Sequence, residues 1–159
     1  MSRIVFREIT LSDQNDLLTI YSDKEAMQYR RNQPLENIEE AIAFIDNVRL
    51  DREKHLRVRY GIVEKSSNSL IGTAVYSFID DKAVEIGVSI GRAYWGKGFG
   101  QETVSELIEL IKKEQPQITT LLGVAHKENI KSINMLKQLG FEFIEENDDK
   151  LHYTYLLER

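Results

Sequence analysis

The chain has 159 residues, of which 42% are hydrophobic and 30% charged, with no cysteine and a formal net charge of -5. This length fits one domain, residues 1–159, whose core needs no disulfides. The lack of cysteine excludes thiolate metal sites and a cysteine nucleophile, and the negative charge disfavours nucleic acid as a partner. No apolar run is long enough to cross a membrane. The N-terminal stretch also lacks the apolar segment of an export signal, so we expect a cytoplasmic protein without a membrane partner.

Apolar spacing predicts the first half of the chain as a strand, two helices and three strands. The helices follow from apolar residues that recur every three to four positions, and Ser12 is placed to cap the first of them. The strands follow from apolar runs separated by short polar turns. In chain order these elements are strand 3–9, helix 13–21, helix 35–54, and strands 56–65, 69–79 and 83–90.

The second half continues with a glycine-rich loop, a helix, a strand, a helix and a hairpin. Gly140 is placed to end the second of these helices. The predicted bounds are helix 99–114, strand 118–126, helix 129–140 and hairpin strands 141–146 and 150–158. This order predicts an α+β or mixed α/β fold, with one sheet layered against helices.

The glycine-rich loop, "YWGKGFGQE" at 94–102, places three glycines directly before a helix. Free N–H groups at a helix N-terminus attract anions, and glycine lets the backbone approach a phosphate closely. A Walker pattern nearly fits residues 91–98, but Gly98 stands where a magnesium-binding hydroxyl belongs. The dinucleotide pattern also fails, because Gln101 replaces its third glycine. The loop therefore predicts an anion site, with a plain flexible turn as the alternative.

Two motifs in this order, "WGKGFG" and the "NIKS…LGF" stretch at 129–141, resemble the GNAT superfamily of acyl-CoA-dependent N-acetyltransferases. The first resembles the family's pyrophosphate signature, Q/R-x-x-G-x-G/A, and the second resembles the segment after its fifth strand. The similarity is greatest to the branch that contains ribosomal-protein-alanine N-acetyltransferases, in which Trp is frequent at the position of Trp95. The element order matches along essentially the whole chain. The resemblance implies a mostly antiparallel sheet of about seven strands flanked by about four helices.

The resemblance also implies acetyl-CoA as a co-substrate. Its pyrophosphate would contact the backbone of residues 96–101, with added positive charge from Lys97 and Arg92. Its pantetheine arm would pair with the backbone around Val88 and Ile90 like an added strand, and an N–H there would polarise the thioester carbonyl. Asn129 would contact the same arm, although it is equally suited to cap its helix. The implied cofactor-binding residues are Val88, Ser89, Ile90, Gly96, Lys97, Gly98, Phe99, Gly100, Gln101, Asn129 and Ser132.

The chemistry predicted for this site is direct attack of an amine on the thioester, because no cysteine is present to carry an acyl group. Glu85 is the predicted general base, since its position resembles that of the base in histone-acetylating relatives. Its outward strand face also carries Gly87 and Ser89, which are small enough to leave a cleft. Partial desolvation would raise the pKa of Glu85 toward a useful value, with a water as the proton relay. His126 is the next residue to test for this role.

The sequence does not identify the residue that acts as the general acid for the leaving thiolate. Leu136 occupies the position where many relatives carry a tyrosine proposed for that role. Tyr94 and His126 lie near the predicted site, whereas core packing is favoured for Tyr153 and Tyr155. His55 and His152 show no metal-ligand spacing, and we predict no metal.

The leading function is therefore an N-acetyltransferase that acts on a primary amine: a protein N-terminal α-amine, a small amine metabolite or an amine antibiotic. Acceptor sites lie on variable loops, here 22–37 and 147–150. One alternative is a non-catalytic acyl-CoA-binding module or sensor. Another is a nucleotide-phosphate binder that uses the near-Walker loop. The oligomeric state is not encoded by these patterns, and a homodimer is compatible with them.

Overall fold

A seven-stranded sheet forms the centre of the computed structural model, which describes residues 2–30 and 33–158. The strand order is β1-β2-β3-β4-β5-β7-β6, and all neighbours are antiparallel except the parallel pair β4 and β5. The strands are β1 (Ile4–Arg7), β2 (Arg57–Glu64), β3 (Ser69–Phe78), β4 (Ala83–Ile90), β5 (Thr120–His126), β6 (Glu142–Asn147) and β7 (Lys150–Leu156). The α-helices of the described residues are α1 (Gln14–Tyr21), α2 (Ile38–Glu53), α3 (Phe99–Glu114) and α4 (Ile130–Gln138).

This architecture confirms the predicted α+β class, the element order and the C-terminal hairpin. Gly140 follows α4 with a φ of +95°, a left-handed conformation that ends the helix at little cost for glycine. Asn37 caps α2 by accepting the backbone N–H of Glu40 at 2.9 Å. Within the described residues, no helix is both long and apolar enough to span a bilayer.

The start of α1 differs from the prediction that Ser12 caps it. A 3-10 turn at Leu11–Asp13 precedes the helix, and Asp13 is the residue at the N-cap. The Ser12 hydroxyl lies 2.7 Å from that of Thr10 instead, so the predicted Ser12 cap is wrong. The Asp13 carboxylate receives the guanidinium of Arg7 through two hydrogen bonds, at 2.8 and 2.9 Å. This pair ties α1 to β1 and so holds the helix that later reaches the candidate site.

We expect Asp13→Ala to lower the free energy of unfolding by about 1–3 kcal/mol at pH 7, because Asp13 is buried and its removal leaves Arg7 unpaired. Burial alone would raise the pKa of Asp13, but hydrogen bonds and charge from Arg7 and the Thr10 N–H lower it on balance. Asp13 therefore contributes its full stabilisation of the fold above its unfolded-state pKa, about 3.9. This stabilisation is lost as the pH falls through the lower pKa of the folded state. Urea unfolding at pH 7 and pH 3 measures the deficit, with exposed Asp46→Ala as the control. An equal deficit at both pH values would contradict the ion-pair explanation.

The sheet presents one face to α1 and α2 and the other to α3 and α4. Val84 and Ile86 of β4 belong to the core that contains the apolar residues of α3. The alternate residues of β4 point to the opposite face, because successive strand side chains alternate. Ser89 lies directly across from Thr73, whose hydroxyl contacts Tyr21 of α1. Glu85, Gly87 and Ser89 therefore share the α1–α2 face, the side of the sheet covered by α1 and α2.

The parallel strands β4 and β5 are paired along only part of their length. Their register runs from Ala83 opposite Thr120 to Ile86 opposite Gly123. In the described chain no ladder pair joins residues 87–90 to residues 124–126, so the two strands separate there. The separation exposes one backbone edge of β4 in the middle of the sheet.

Candidate functional site

A cleft of about 510 Å³ lies where β4 and β5 separate. Its walls come from the end of β4, the glycine-rich loop with the first turn of α3, and the start of α4, and the segment 25–30 covers it. Lys97 and Gln101 belong to the loop but do not line the cleft. The predicted cofactor-binding residues that do line it are Val88, Ser89, Ile90, Gly96, Gly98, Phe99, Gly100, Asn129 and Ser132.

The glycine-rich loop presents free backbone amides to this cleft. Gly96 and Gly98 have φ angles of +75° and +82°, which other L-residues rarely adopt, and Gly98 is the N-cap of α3. The first helical hydrogen bond runs from Glu102 N to Gly98 O at 3.2 Å. The N–H groups of residues 99–101 consequently have no acceptor within the described chain. Together with the helix dipole, these amides form an anion site suited to a pyrophosphate.

Arg3, directly before β1, holds this loop in place, a role that the sequence analysis did not find. Its guanidinium donates to the Lys97 carbonyl at 3.0 Å and to the Glu102 carboxylate at 2.7 Å. The same group lies 4.0 Å above the ring of Phe99. Arg3 therefore fixes both sides of the Gly98 turn, and no local sequence motif marks it.

The open edge of β4 offers two further amides. The Val88 carbonyl accepts from the guanidinium of Arg30 at 2.7 Å, and the Ile90 carbonyl accepts from the indole of Trp95 at 2.7 Å. Both carbonyls thus point away from β3. Because the N–H and C=O of one strand residue point to the same side, the amides of Val88 and Ile90 also face the open edge.

The segment between α1 and α2 bridges the gap between β4 and β5. Arg92 anchors its start through ion pairs with Asp23 at 2.5 Å and Glu25 at 2.7 Å. The ring of Tyr29 stacks on His126 of β5, with centroids 5.1 Å apart. Arg92 is therefore neutralised by two carboxylates, which differs from the expectation that it adds charge to the pyrophosphate site.

Glu85 lies in the paired part of β4, opposite Ser77 of β3 and Leu122 of β5. Its side chain is half-buried on the α1–α2 face, and it does not line the cleft. Gly87 is the next residue on that face toward Ser89, and Val75 of β3 lies beside it, with a methyl group 3.1 Å from the position that a Gly87 Cβ would take. Its role as the base stays a prediction.

The tyrosines divide into core residues and cleft residues. Tyr153 is buried and Tyr155 packs on Phe141 with centroids 5.1 Å apart, which confirms core packing for both. Tyr94 lines the cleft and meets Phe99 edge-on at 6.1 Å.

Segment 25–30, part of the loop 22–37 predicted to form the acceptor site, lines the cleft too. The turn 147–150 does not line it.

At the start of α4, Asn129 is the N-cap, and its side chain accepts the Ser132 N–H at 3.4 Å. The capping role proposed for Asn129 is therefore confirmed.

Histidine, aspartate and glutamate form no cluster of three that could hold a metal within the described residues. The groups that converge on the cleft are instead N–H donors, which fit a phosphate-bearing, peptide-like ligand such as coenzyme A.

A family model for the acetyltransferase (GNAT) domain matches residues 3–142. The chain therefore belongs to the GNAT family; it is an acyltransferase whose acetyl donor is acetyl-CoA. It is 30% identical over 145 residues to the uncharacterized N-acetyltransferase p20 of Bacillus licheniformis, covering 88% of this chain and 79% of that one. Neither a non-catalytic module nor a nucleotide binder is supported by these findings.

Solved structures with lower identity share the fold. RimL, a ribosomal L7/L12 alpha-N-protein acetyltransferase in complex with coenzyme A, superimposes with a TM-score of 0.84 at 17% identity, covering 99% of this chain and 96% of that one. Spermidine N-acetyltransferase from Vibrio cholerae, in complex with CoA and spermine, gives a TM-score of 0.81 at 16% identity, covering 97% and 95%. At this identity the likeness establishes the architecture and leaves the acceptor to be argued from the site.

Proposed function

We propose that this protein transfers the acetyl group of acetyl-CoA directly to a primary amine, either a small amine or a protein N-terminal α-amine. The observation that carries the proposal is the convergence of two sets of free amides on one cleft, at the start of α3 and along the open edge of β4. The first set suits the pyrophosphate and the second suits the peptide-like pantetheine arm. The similarity to RimL and to the branch of ribosomal-protein-alanine N-acetyltransferases supports an α-amine, and the similarity to spermidine N-acetyltransferase supports a small amine.

The amides proposed to hold the donor belong to the first turn of α3 and to the end of β4. Amides of 99–101 would bind phosphate oxygens, with the α3 dipole in support. Arg30 and Trp95 satisfy the Val88 and Ile90 carbonyls, which leaves the two amides to bind the arm and the thioester oxygen. Bound acetyl-CoA supplies an acetyl thioester.

The acceptor amine must lose a proton before it attacks. For an amine with a pKa of about 10.4, neutralisation at pH 7 costs about 4.6 kcal/mol, whereas an α-amine with a pKa of about 8 costs about 1.4 kcal/mol. Glu85 is the proposed base, acting through a water, because it is half-buried on the strand that continues into the cleft-lining residues 88–90. The new C–N bond forms as the C–S bond breaks, and coenzyme A leaves as the thiolate. No protein cysteine takes part, since the chain has none.

Calorimetry tests the binding half of this proposal. We expect acetyl-CoA and CoA to bind with micromolar dissociation constants, which correspond to a binding free energy of about -8 kcal/mol. Binding should be equal with and without EDTA. The reason is that the proposed donor contacts are backbone N–H groups, which bind without a metal. Absent binding, or binding lost with EDTA, would contradict the proposed donor site.

An amine panel tests the catalytic half. The panel combines acetyl-CoA with small amines and with peptides that carry free N-termini, and thiol release is followed together with the mass of the acceptor. We expect at least one acceptor to gain 42 mass units, the acetyl increment. Donor binding without transfer to any amine would reject the enzyme proposal.

A further inference from the structure

A polar cluster lies under the cleft on the α1–α2 face. The hydroxyls of Tyr21 and Thr73 are 2.5 Å apart, and Arg59 of β2 donates to both, at 3.2 and 2.8 Å. Tyr21 is 5% exposed and also lines the cleft. Through Tyr21, the cluster therefore connects Arg59 to the wall of the cleft.

Arg30 and Arg59 approach this region from two sides without a carboxylate partner: Arg30 donates to Val88 of β4, and Arg59 donates to the cluster. In the described chain neither Arg30 nor Arg59 has an ion-pair partner, although acidic residues outnumber basic ones in the sequence. Desolvation and the nearby charge of Arg59 lower the pKa of Arg30. Burial alone would raise the pKa of Tyr21, yet the charges of Arg59 and Arg30 lower it on balance. This part of the site is thus locally positive and lacks an anion.

Ser89 adds a further hydroxyl at the same place. Its residue is 7% exposed and lines the cleft, and its hydroxyl lies beside that of Tyr21, whose pKa it helps to lower. It stands directly opposite Thr73 on the shared face. A ligand carboxylate that accepts from the hydroxyls of Ser89 and Tyr21 would be held by hydrogen bonds next to positive charge.

We propose that the acceptor is a small amine that also carries a carboxylate. Arg30 and the hydroxyls of Tyr21 and Ser89 bind this carboxylate, and Arg59 adds positive charge through its hydrogen bond to Tyr21. The inference rests on the proposed acetyl transfer and narrows its acceptor. Arg30 donates to the Val88 carbonyl at 2.7 Å, so an anion bound to Arg30 lies close to the Val88 amide and the reacting thioester. The amine and carboxylate must therefore be only a few bonds apart, as in a free amino acid.

In the part of the chain that the structure describes, the two glutamates that line the cleft, Glu25 and Glu128, form no ion pair with Arg30 or Arg59. Glu25 is already paired with Arg92 at 2.7 Å. Glu128 lies on the other side of the gap, after β5. A polyamine would bring only positive charge toward Arg30 and Arg59, which disfavours it by like-charge repulsion.

The test compares acceptors that differ only in the carboxylate. Wild-type protein is assayed with acetyl-CoA and each standard L-amino acid, its α-carboxamide and its decarboxylated amine, with spermidine included. Values of kcat/KM are corrected for the fraction of neutral amine. Arg59→Gln, Arg59→Lys and Arg30→Gln follow, with Arg57→Gln as the matched control, because Arg57 lies on the same strand and pairs with Asp51 at 3.5 Å. Arg30 lies outside the helices and strands, so Arg30→Gln keeps the test available if Arg59→Gln does not fold.

We expect an acid to be preferred over its carboxamide by at least about 10-fold. Arg59→Gln or Arg30→Gln should reduce that ratio by about 10- to 100-fold, the range for a lost charge-assisted hydrogen bond. Arg59→Lys should keep part of the ratio, and Arg57→Gln all of it, with CoA affinity equal in the Arg57 and Arg59 variants. Arg30→Gln removes the partner of the Val88 carbonyl and is judged by the acid-to-carboxamide ratio alone. Equal use of carboxamides, a preference for spermidine, or an unchanged ratio in both Gln variants would overturn the carboxylate site while leaving acetyl transfer intact. Donor binding without transfer to any amine would instead reject the proposed function, and this inference with it.

Discussion

Glu85→Gln is expected to lower kcat at pH 7 by about 10²–10⁴-fold with a high-pKa amine, the usual contribution of a general base. Glutamine keeps the size of the side chain and its capacity for hydrogen bonds, but it cannot take the proton of the amine. CoA affinity should stay unchanged, because Glu85 lies outside the cleft lining. With an acceptor whose amine has a pKa of about 8, the loss should be smaller, since less of the barrier is proton removal.

A pH–rate profile of both proteins with one identified acceptor measures this effect. The deficit should shrink as the pH rises and the amine deprotonates without help. Glu142→Gln, on the exposed strand β6, is the matched control and should follow the wild-type profile. Parallel profiles with nearly equal rates would move the base elsewhere, with His126 next to test. Loss of CoA binding would make Glu85 a structural residue.

Gly98→Val and Gly100→Val are expected to weaken CoA binding by about 10- to 100-fold, equivalent to one or more lost hydrogen bonds to a charged group. At Gly98 the φ of +82° strains any residue with a Cβ, by about 1–2 kcal/mol, so the turn that exposes the amides would relax. At Gly100 a Cβ would lie 3.6 Å from the sulfur of Met135, an ordinary contact that lets the helix form. Its branched methyl groups would then occupy the cleft wall where the phosphate must approach.

Calorimetry with CoA, paired with thermal unfolding of each variant, separates binding from folding. Gly140→Ala is the matched control, because Gly140 also has a positive φ beside a helix but lies outside the cleft. It should lower stability and leave CoA affinity intact. Folded Gly98 and Gly100 variants that bind CoA within twofold of the wild type would show that this loop does not hold the pyrophosphate.

The sequence by itself determined the elements, the family and the position of the glycine-rich loop before α3. Alternation and helical spacing are local properties, so they located the strands and helices to within a few residues. The dense glycines of 96–100 indicated an unusual turn, and Gly96 and Gly98 do adopt positive φ angles, which glycine takes at little cost. Tyr153 and Tyr155 share a face of the last strand with Leu151 and Leu157, and this pattern correctly predicted that both tyrosines pack in the core.

Only the tertiary structure decided which distant residues share the cleft and what their charges do. Arg3 supports a loop 94 residues away, and Arg92 pairs with Asp23 rather than with a phosphate. Arg59 of β2 reaches Tyr21 of α1, and Arg30 reaches Val88 of β4, and no spacing in the sequence reveals either contact. The physical reason is that strand register and the end of β4–β5 pairing fix these contacts, and both depend on packing across the whole sheet. Local pattern specifies the backbone that a segment prefers, whereas the partner of a charged side chain is set by which segments the fold brings within a few ångströms.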